Sequence, residues 1–202
     1  KGQVNPEEIK NKIKEDTAIV SVMHANNEIG VIEPIEEIGK MLKEINKNRK
    51  NPVLFHTDAV QTAGKIKIDV EKLGVDLLAV SAHKFYGPKG TGALYIRKGT
   101  KIDPLFHGGH QENNLKPGTE NIAGIVGMTK ALELSDEETD YENKKTAVLR
   151  DRLKNGILNS IPEVIINTDT DVCVSNILNV SFNYIEGESL LLMLDMAGIA
   201  AS

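Results

Sequence analysis

The chain has 202 residues, of which 40% are hydrophobic, so it can bury a core and can form one large domain or one and a half. Its net charge of -5 argues against a surface that binds polyanions, and we expect no nucleic-acid partner. The one cysteine, Cys173, excludes an intrachain disulfide, and with no membrane-spanning or secretory stretch it indicates a cytoplasmic protein.

The first part of the chain reads as a strand–helix–strand unit. Asn5 followed by proline predicts the start of a helix over residues 5–15, and an apolar run predicts a strand over 18–23. A second helix begins after Glu33, with its apolar residues at steps of three and four. The following strand ends at Asp58, so the pattern predicts a parallel crossover.

The pattern then continues toward a glycine-rich turn. Short turns are predicted at 59–64 and 70–73, a strand at 75–80, and a returning strand at 93–96. The glycine-rich run at 87–92 is not a nucleotide phosphate loop, because the residues that follow it favour a strand rather than a helix.

The last third is predicted to contain a second, smaller α+β domain. Thr119 is expected to cap a helix that runs to Leu134, with Ile122, Ile125 and Val126 facing inward. Ser135 and Glu138 have the spacing of a capping box, which predicts a new helix there. We therefore divide the chain into 1–134, part of a large domain, and 135–202, part of a small one. The small part has predicted strands at 164–166 and 177–182 and a helix at 187–195.

Polar side chains follow three of the predicted strands, at the point where each strand ends. Because the carboxyl ends of parallel strands meet at the same edge of a sheet, we expect these side chains to converge in one crevice. They are Asn26, Asn27, Asp58, Gln61, Ser81, His83 and Lys84.

An amine, a carboxylate and anion donors in one crevice fit the chemistry of pyridoxal phosphate. Lys84, backed by two aromatic residues, is expected to lose hydration and to act as the nucleophile that forms a Schiff base. Asp58 would pair with the pyridine nitrogen and Gln61 would donate to the phenolic oxygen. Ser81 and His83 would hold the phosphate, although His83 could equally be a core histidine.

Four stretches carry a resemblance to a known family. They are residues 23–30 (MHANNEIG), 56–61 (HTDAVQ), 81–92 (SAHKFYGPKGTG) and 176–190 (NILNVSFNYIEGESL). The chain resembles the cysteine desulfurases of the class V aminotransferase family, in the branch that serves iron–sulfur cluster assembly and nitrogenase maturation. The resemblance extends over essentially the whole chain.

The resemblance implies the fold of a fold-type I transferase dependent on pyridoxal phosphate, an α/β fold with a mostly parallel sheet and flanking helices. It implies conversion of L-cysteine to L-alanine, with the sulfur passed on as a persulfide to an acceptor or iron–sulfur scaffold protein. Asn27 would lie beside the cofactor ring and the substrate. Thr119 would reach the phosphate of the cofactor bound to the neighbouring subunit of a homodimer. In the loop before Thr119, His110 and Lys116 differ from the residues that are common in the family.

The family also implies that this chain is an internal fragment. It begins without methionine, and relatives carry a preceding phosphate loop and ring-stacking histidine, and a later loop with the nucleophilic cysteine. We therefore expect the fragment alone not to complete the reaction. Cys173 is interpreted as a small apolar filler rather than as the sulfur acceptor.

Other functions remain open at this stage. The same cofactor residues fit a selenocysteine lyase or another class V aminotransferase, and a truncated dimerisation or docking domain is the alternative without catalysis. A zinc site at His107, His110 and Glu112 is not predicted, because the two histidines lie in a glycine-rich loop rather than on a helix.

Overall fold

The computed structural model describes residues 2–202. The α-helices are α1 (Pro6–Lys12), α2 (Ile35–Asn46), α3 (Val70–Leu73), α4 (Ile122–Ser160) and α5 (Gly187–Met196). The strands are β1 (Ile19–Met23), β2 (Leu54–Asp58), β3 (Leu77–Ser81), β4 (Gly92–Ile96), β5 (Val164–Ile166) and β6 (Val180–Phe182).

The first four strands form one sheet in the order β1-β2-β3-β4. The first three run parallel and β4 is antiparallel to β3, which confirms the predicted α/β fold with a mostly parallel sheet. Met23, Asp58, Ala79 and Leu94 are register partners and form one row across the sheet. Because β1, β2 and β3 are parallel, their carboxyl ends lie at one edge.

Helix α2 covers one face of this sheet. Its residues Ile35, Ile38 and Leu42 are buried and pack with Phe55 of β2 and Leu78 of β3 in the main core. Their spacing of three and four residues places them on one side of the helix, as predicted. The buried stripe therefore fixes which face of each strand points to the core.

The opposite face of the sheet is open to solvent. Ile19 and Met23 of β1 and Leu94 of β4 are 48%, 40% and 47% exposed. Since side chains alternate along a strand, Asp58 shares this face with its register partner Met23. We call this surface the open face.

Helix α4 meets the end of β3 rather than its centre. A short 3-10 helix at Ala82–Phe85 follows β3 directly, and Phe85 is buried against Ala63, Met128 and Ala131. This second small core holds the residues just after β3 against the first third of α4.

The predicted helix break at residue 135 is wrong, because α4 is one helix of 39 residues. Asn121, not Thr119, caps it, and its side chain accepts a hydrogen bond from the backbone N–H of Gly124 at 3.1 Å. The Ser135 hydroxyl instead donates to the carbonyl of Phe85 at 3.4 Å, so it bonds across the chain rather than capping a helix. The division into 1–134 and 135–202 stays a prediction.

The predicted inward face of α4 is also wrong at its start. Ile122, Ile125 and Val126 are 64%, 38% and 62% exposed, whereas the 3-10 helix is contacted by Met128 and Ala131. Beyond α4, β5 and β6 pair as an antiparallel ribbon, with β6 starting three residues later than expected. Across residues 2–202, no helix combines the length and apolar character needed to cross a bilayer.

Candidate functional site

Asp58 and Ser81 lie on the open face near the carboxyl edge of the sheet. Asp58 is the last residue of β2 and pairs with Ala79, so Ser81 follows two residues further along the neighbouring strand, on the same face. The Asp58 side chain is exposed and one of its oxygens accepts a hydrogen bond from the backbone N–H of Val60 at 2.9 Å. This bond holds the carboxylate at the strand end while leaving it accessible.

Gln61 lies in the turn that follows Asp58. It is half-buried, and its neighbours Ala59 and Thr62 anchor the turn, because the N–H and the hydroxyl of Thr62 both donate to the carbonyl of Ala59. The predicted contact of the Gln61 side chain with the phenolic oxygen of the cofactor stays a prediction.

Ser81 and His83 form a hydrogen-bonded pair at the end of β3. The Ser81 Oγ lies 2.8 Å from His83 Nδ1, and the imidazole is exposed. His83 is therefore not a core histidine in this structure. The pair leaves the second ring nitrogen of His83 available to an anion at the edge of the sheet.

Lys84 is held by its backbone but its side chain is exposed. The expected loss of hydration at Lys84 is therefore wrong in this structure. Phe85 is buried at 1% exposed, but Tyr86 is 95% exposed and does not shield the lysine. Lys84 lines an open cleft of about 670 Å³ together with Lys65 and residues of α4. Asp58 and Ser81 do not line that cleft, so the expected meeting of Lys84 and Asp58 around one ring stays a prediction.

A tight backbone contact shapes the loop after Lys84. A Cβ atom placed on Gly87 would lie 2.9 Å from the Cβ and 3.0 Å from the carbonyl oxygen of Ala82. The Gly87 N–H also donates to that carbonyl at 2.8 Å. Only glycine fits this approach without a shift of the 3-10 helix that carries Lys84.

The turn after β1 presents Asn27 to solvent. Asn26, not Asn27, organises this turn, because its side-chain oxygen accepts from the N–H groups of Glu28 and Ile29, both at 2.9 Å. Asn27 is exposed and stays a candidate contact to a ligand. The sequence indicates a polar turn here but not which of the two asparagines builds it.

Thr119 lies exposed before α4, and nothing within this chain tests its predicted contact with a neighbouring subunit. In the preceding loop, His110 Nδ1 lies 2.6 Å from the Asn114 side-chain oxygen. Within the described residues, no group of three or more side chains is arranged to hold a metal ion.

Cys173 is half-buried next to a cation. Arg150 donates to its Sγ at 3.2 Å, and burial nevertheless raises the pKa of the thiol above its ordinary value. A raised pKa reduces the thiolate fraction, and the thiolate is the nucleophilic form. This favours the interpretation of Cys173 as a packing residue.

His24 is a buried residue whose role the sequence analysis did not identify. Its Nδ1 lies 3.0 Å from the Thr62 hydroxyl, and its backbone N–H donates to the carbonyl of Asp58 at 2.8 Å. The imidazole thus ties the end of β1 to the turn that carries Gln61. Burial lowers its pKa from 6.5 to about 4.

The free energy of unfolding is expected to fall by about 3 kcal/mol as the pH drops from 6.5 to about 4. Over this range His24 binds a proton more readily in the unfolded protein, where its pKa is 6.5, than in the folded protein, where its pKa is about 4. Urea unfolding at a series of pH values measures this loss. His24→Gln should remove most of this pH dependence, whereas His107→Gln in an exposed loop should retain it. An unchanged pH dependence in His24→Gln would contradict the assignment.

Comparison with known proteins identifies the family to which this chain is similar. A family model described as aminotransferase class V matches residues 1–202. A cysteine desulfurase IscS from Dictyoglomus turgidum is 53% identical over 201 residues, which cover 100% of this chain and 50% of that protein. The chain thus spans about half the length of the curated relatives that it matches.

Solved structures have the same fold. A structure titled "NifS-like protein" has a TM-score of 0.92 at 45% identity, covering 100% of this chain and 53% of that one. A structure titled "SspA in complex with cysteine" has a TM-score of 0.73 at 32% identity, covering 97% of this chain and 52% of that one. The match to the family model and these likenesses confirm the resemblance noted in the sequence, and the chain belongs to the class V aminotransferase family.

Proposed function

We propose that the intact protein is a cysteine desulfurase that uses pyridoxal phosphate, converting L-cysteine to L-alanine and passing the sulfur on as a persulfide. The observation that carries the proposal is the likeness over the whole chain to proteins named cysteine desulfurase, at 53–55% identity. The homologous structure solved with cysteine supports L-cysteine as the substrate.

The residues at the carboxyl edge of the sheet fit the cofactor. Asp58 offers an exposed carboxylate on the open face, and the Ser81–His83 pair offers donors to an anion next to it. When bound, the cofactor supplies an electron sink for breaking bonds at the substrate Cα atom. Asp58 would face its pyridine nitrogen, and a charged carboxylate there would hold that nitrogen in its protonated form.

The remaining site residues would orient the cofactor and the substrate. Gln61 would donate to the phenolic oxygen without adding a charge, and Ser81 with His83 would bind the phosphate. Asn27, exposed at the end of β1, would lie beside the ring and the substrate. Thr119 would complete the phosphate site of a partner subunit in a homodimer.

Lys84 would serve first as the covalent attachment point and then as a base. Its free amine would take a proton from the substrate Cα and return one to the product. The 3-10 helix and Gly87 fix the backbone of Lys84 just after β3.

The sulfur transfer needs a thiolate that attacks the substrate sulfur, so that a new S–S bond forms while the substrate C–S bond breaks. The family resemblance implies that this nucleophile is a cysteine of the intact protein outside residues 1–202. Cys173 is instead interpreted as a packing residue, which agrees with the raised pKa that burial gives its thiol. The persulfide would then pass to a sulfur-acceptor or iron–sulfur scaffold protein.

Cys173→Ala is expected to leave the rate of sulfide release from L-cysteine by the intact protein within about twofold of the unmodified protein, because the thiol is not the acceptor. Sulfide is measured in the presence of a reductant, with alanine as the second product. A loss of activity in Cys173→Ala, with cofactor content unchanged, would refute this assignment.

The function itself is tested by product analysis on the intact protein. Equal amounts of alanine and reducible sulfur from L-cysteine are expected. Selenocysteine turnover without cysteine turnover would favour the selenocysteine lyase, and exchange of amino groups with a keto acid would favour an ordinary aminotransferase.

A further inference from the structure

A cleft of about 360 Å³ opens between the turn after β2, the middle of α4 and the loop at 170–175, beside the cleft that Lys84 lines. It is distinct from the open face, where Asp58 and Ser81 lie. The residues of its lining that carry polar or charged groups toward it are Lys65, Asn143, Lys144, Arg150, Thr170 and Ser175.

Hydrogen bonds between side chains and backbone join the three walls of this cleft. The Asn143 amide donates to the carbonyl of Lys65 at 2.6 Å, and the Ser175 hydroxyl donates to the Asn143 side-chain oxygen at 2.8 Å. The Thr146 hydroxyl donates in turn to the Ser175 Oγ at 2.7 Å. The cleft is thus a built feature of the fold rather than a gap between loose segments.

Positive charge dominates the lining of this cleft. Lys65, Lys144 and Arg150 line it, and none of its ten lining residues is acidic. A fourth cation, Lys154, lies at its rim and donates to the Thr170 hydroxyl at 3.0 Å. Hydroxyl groups and ammonium groups are therefore presented together, which is the donor set that oxyanions require.

Nearby carboxylates balance only part of this charge. Asp151 binds Arg150 at 2.9 Å, and Asp169 is close enough to act on the neighbouring Cys173. Three of the lining residues are cations and Asp151 balances one of them, so the lining keeps an excess of two positive charges. The guanidinium of Arg150 contributes although its side chain is only 9% exposed.

Lys65 lines both this cleft and the cleft that contains Lys84. Burial lowers the pKa of its ammonium group, and the nearby charge of Lys84 lowers it further. An anion bound in the cleft would offset both effects, because an opposite charge favours the protonated form of an amine.

We propose that this cleft binds a small dianionic oxyanion of the phosphate class, held by Lys65, Lys144 and Arg150 with the Thr170 hydroxyl. Two charges match the local excess, and the volume admits a hydrated ion or a small ester. None of Asp58, Ser81 and His83 lines this cleft, whereas Lys65, Asn143 and Ser175 also line the cleft that contains Lys84.

Inorganic phosphate is the probe for this site. Its binding is followed by phosphorus NMR line broadening and by the thermal unfolding midpoint, at constant ionic strength with chloride as the reference. Lys65→Met and Lys144→Met are each expected to weaken phosphate binding about tenfold, equivalent to about 1.4 kcal/mol. Lys145→Met is the matched control, because it removes the same charge from the next position of α4 but does not line the cleft.

Lys144 is exposed, so its variant keeps the test valid even where Lys65→Met fails to fold. Equal weakening by Lys144→Met and Lys145→Met would overturn the proposal, because the effect would then come from diffuse charge. The absence of any phosphate effect beyond that of chloride would also overturn it. Glycerol phosphate binding as tightly as inorganic phosphate would support a phosphate ester as the ligand, and weaker binding would support the free ion.

Discussion

Lys84→Ala is expected to abolish covalent attachment of pyridoxal phosphate to the intact protein. The condensation requires a primary amine at the end of β3, and alanine offers none. The exposed side chain of Lys84 makes few packing contacts, so the variant should keep the stability of the unmodified protein within about 0.5 kcal/mol. Loss of cofactor attachment would therefore result from the missing amine and not from unfolding of the protein.

The measurement is reduction with borohydride after incubation with the cofactor, followed by mass spectrometry of the digested protein. The added mass should lie on the peptide that contains Lys84. Lys89→Ala is the matched control, because Lys89 is an exposed lysine of the same loop and should leave the attachment intact. An adduct that persists in Lys84→Ala, on another lysine, would refute the assignment.

Phe85→Ala is expected to lower the free energy of unfolding by about 3–5 kcal/mol, because truncation of a buried aromatic ring leaves a cavity. Phe85 is 1% exposed and packs with Ala63, Met128 and Ala131. The same change should reduce cofactor attachment at Lys84, because the packed ring of Phe85 holds the backbone of Lys84 in place.

Tyr86→Ala provides the comparison at the adjacent aromatic residue, which is 95% exposed. Its effect on the free energy of unfolding should be within about 0.5 kcal/mol. Urea unfolding of both variants measures the difference. Similar losses in the two variants would contradict the packing described for the end of β3.

The sheet and its polar edge could be predicted from the sequence because short apolar runs end in polar residues. The strand that ends at Asp58 and the strand that leads to Ser81 lie side by side, as expected. The register that pairs Asp58 with Ala79, and so places Asp58 and Ser81 on the same face, could not be predicted from the sequence.

The helix break at residue 135 could not be excluded from local sequence. Ser135 and Glu138 satisfy the spacing of a capping box, but a serine inside a helix can bond elsewhere. Here the Ser135 hydroxyl donates to the carbonyl of Phe85, and the helix continues through it. This tertiary contact links α4 to the end of β3 and is invisible in a local pattern.

The direction of the Lys84 side chain is also beyond the sequence. The end of a strand fixes the position of the backbone. The lysine side chain has four rotatable bonds, so its direction depends on the charges and ligands nearby. In this structure the side chain lines a cleft with Lys65. His24 is a similar case, because only the fold reveals that Thr62 approaches its ring.

The most direct test of the central claim is a crystal structure of the intact protein with pyridoxal phosphate bound. We expect one molecule bonded to the Lys84 Nζ, with the Asp58 carboxylate within about 3 Å of its pyridine nitrogen. A bound cofactor whose pyridine nitrogen faces a different residue, with Asp58 still directed into solvent, would contradict the proposed site.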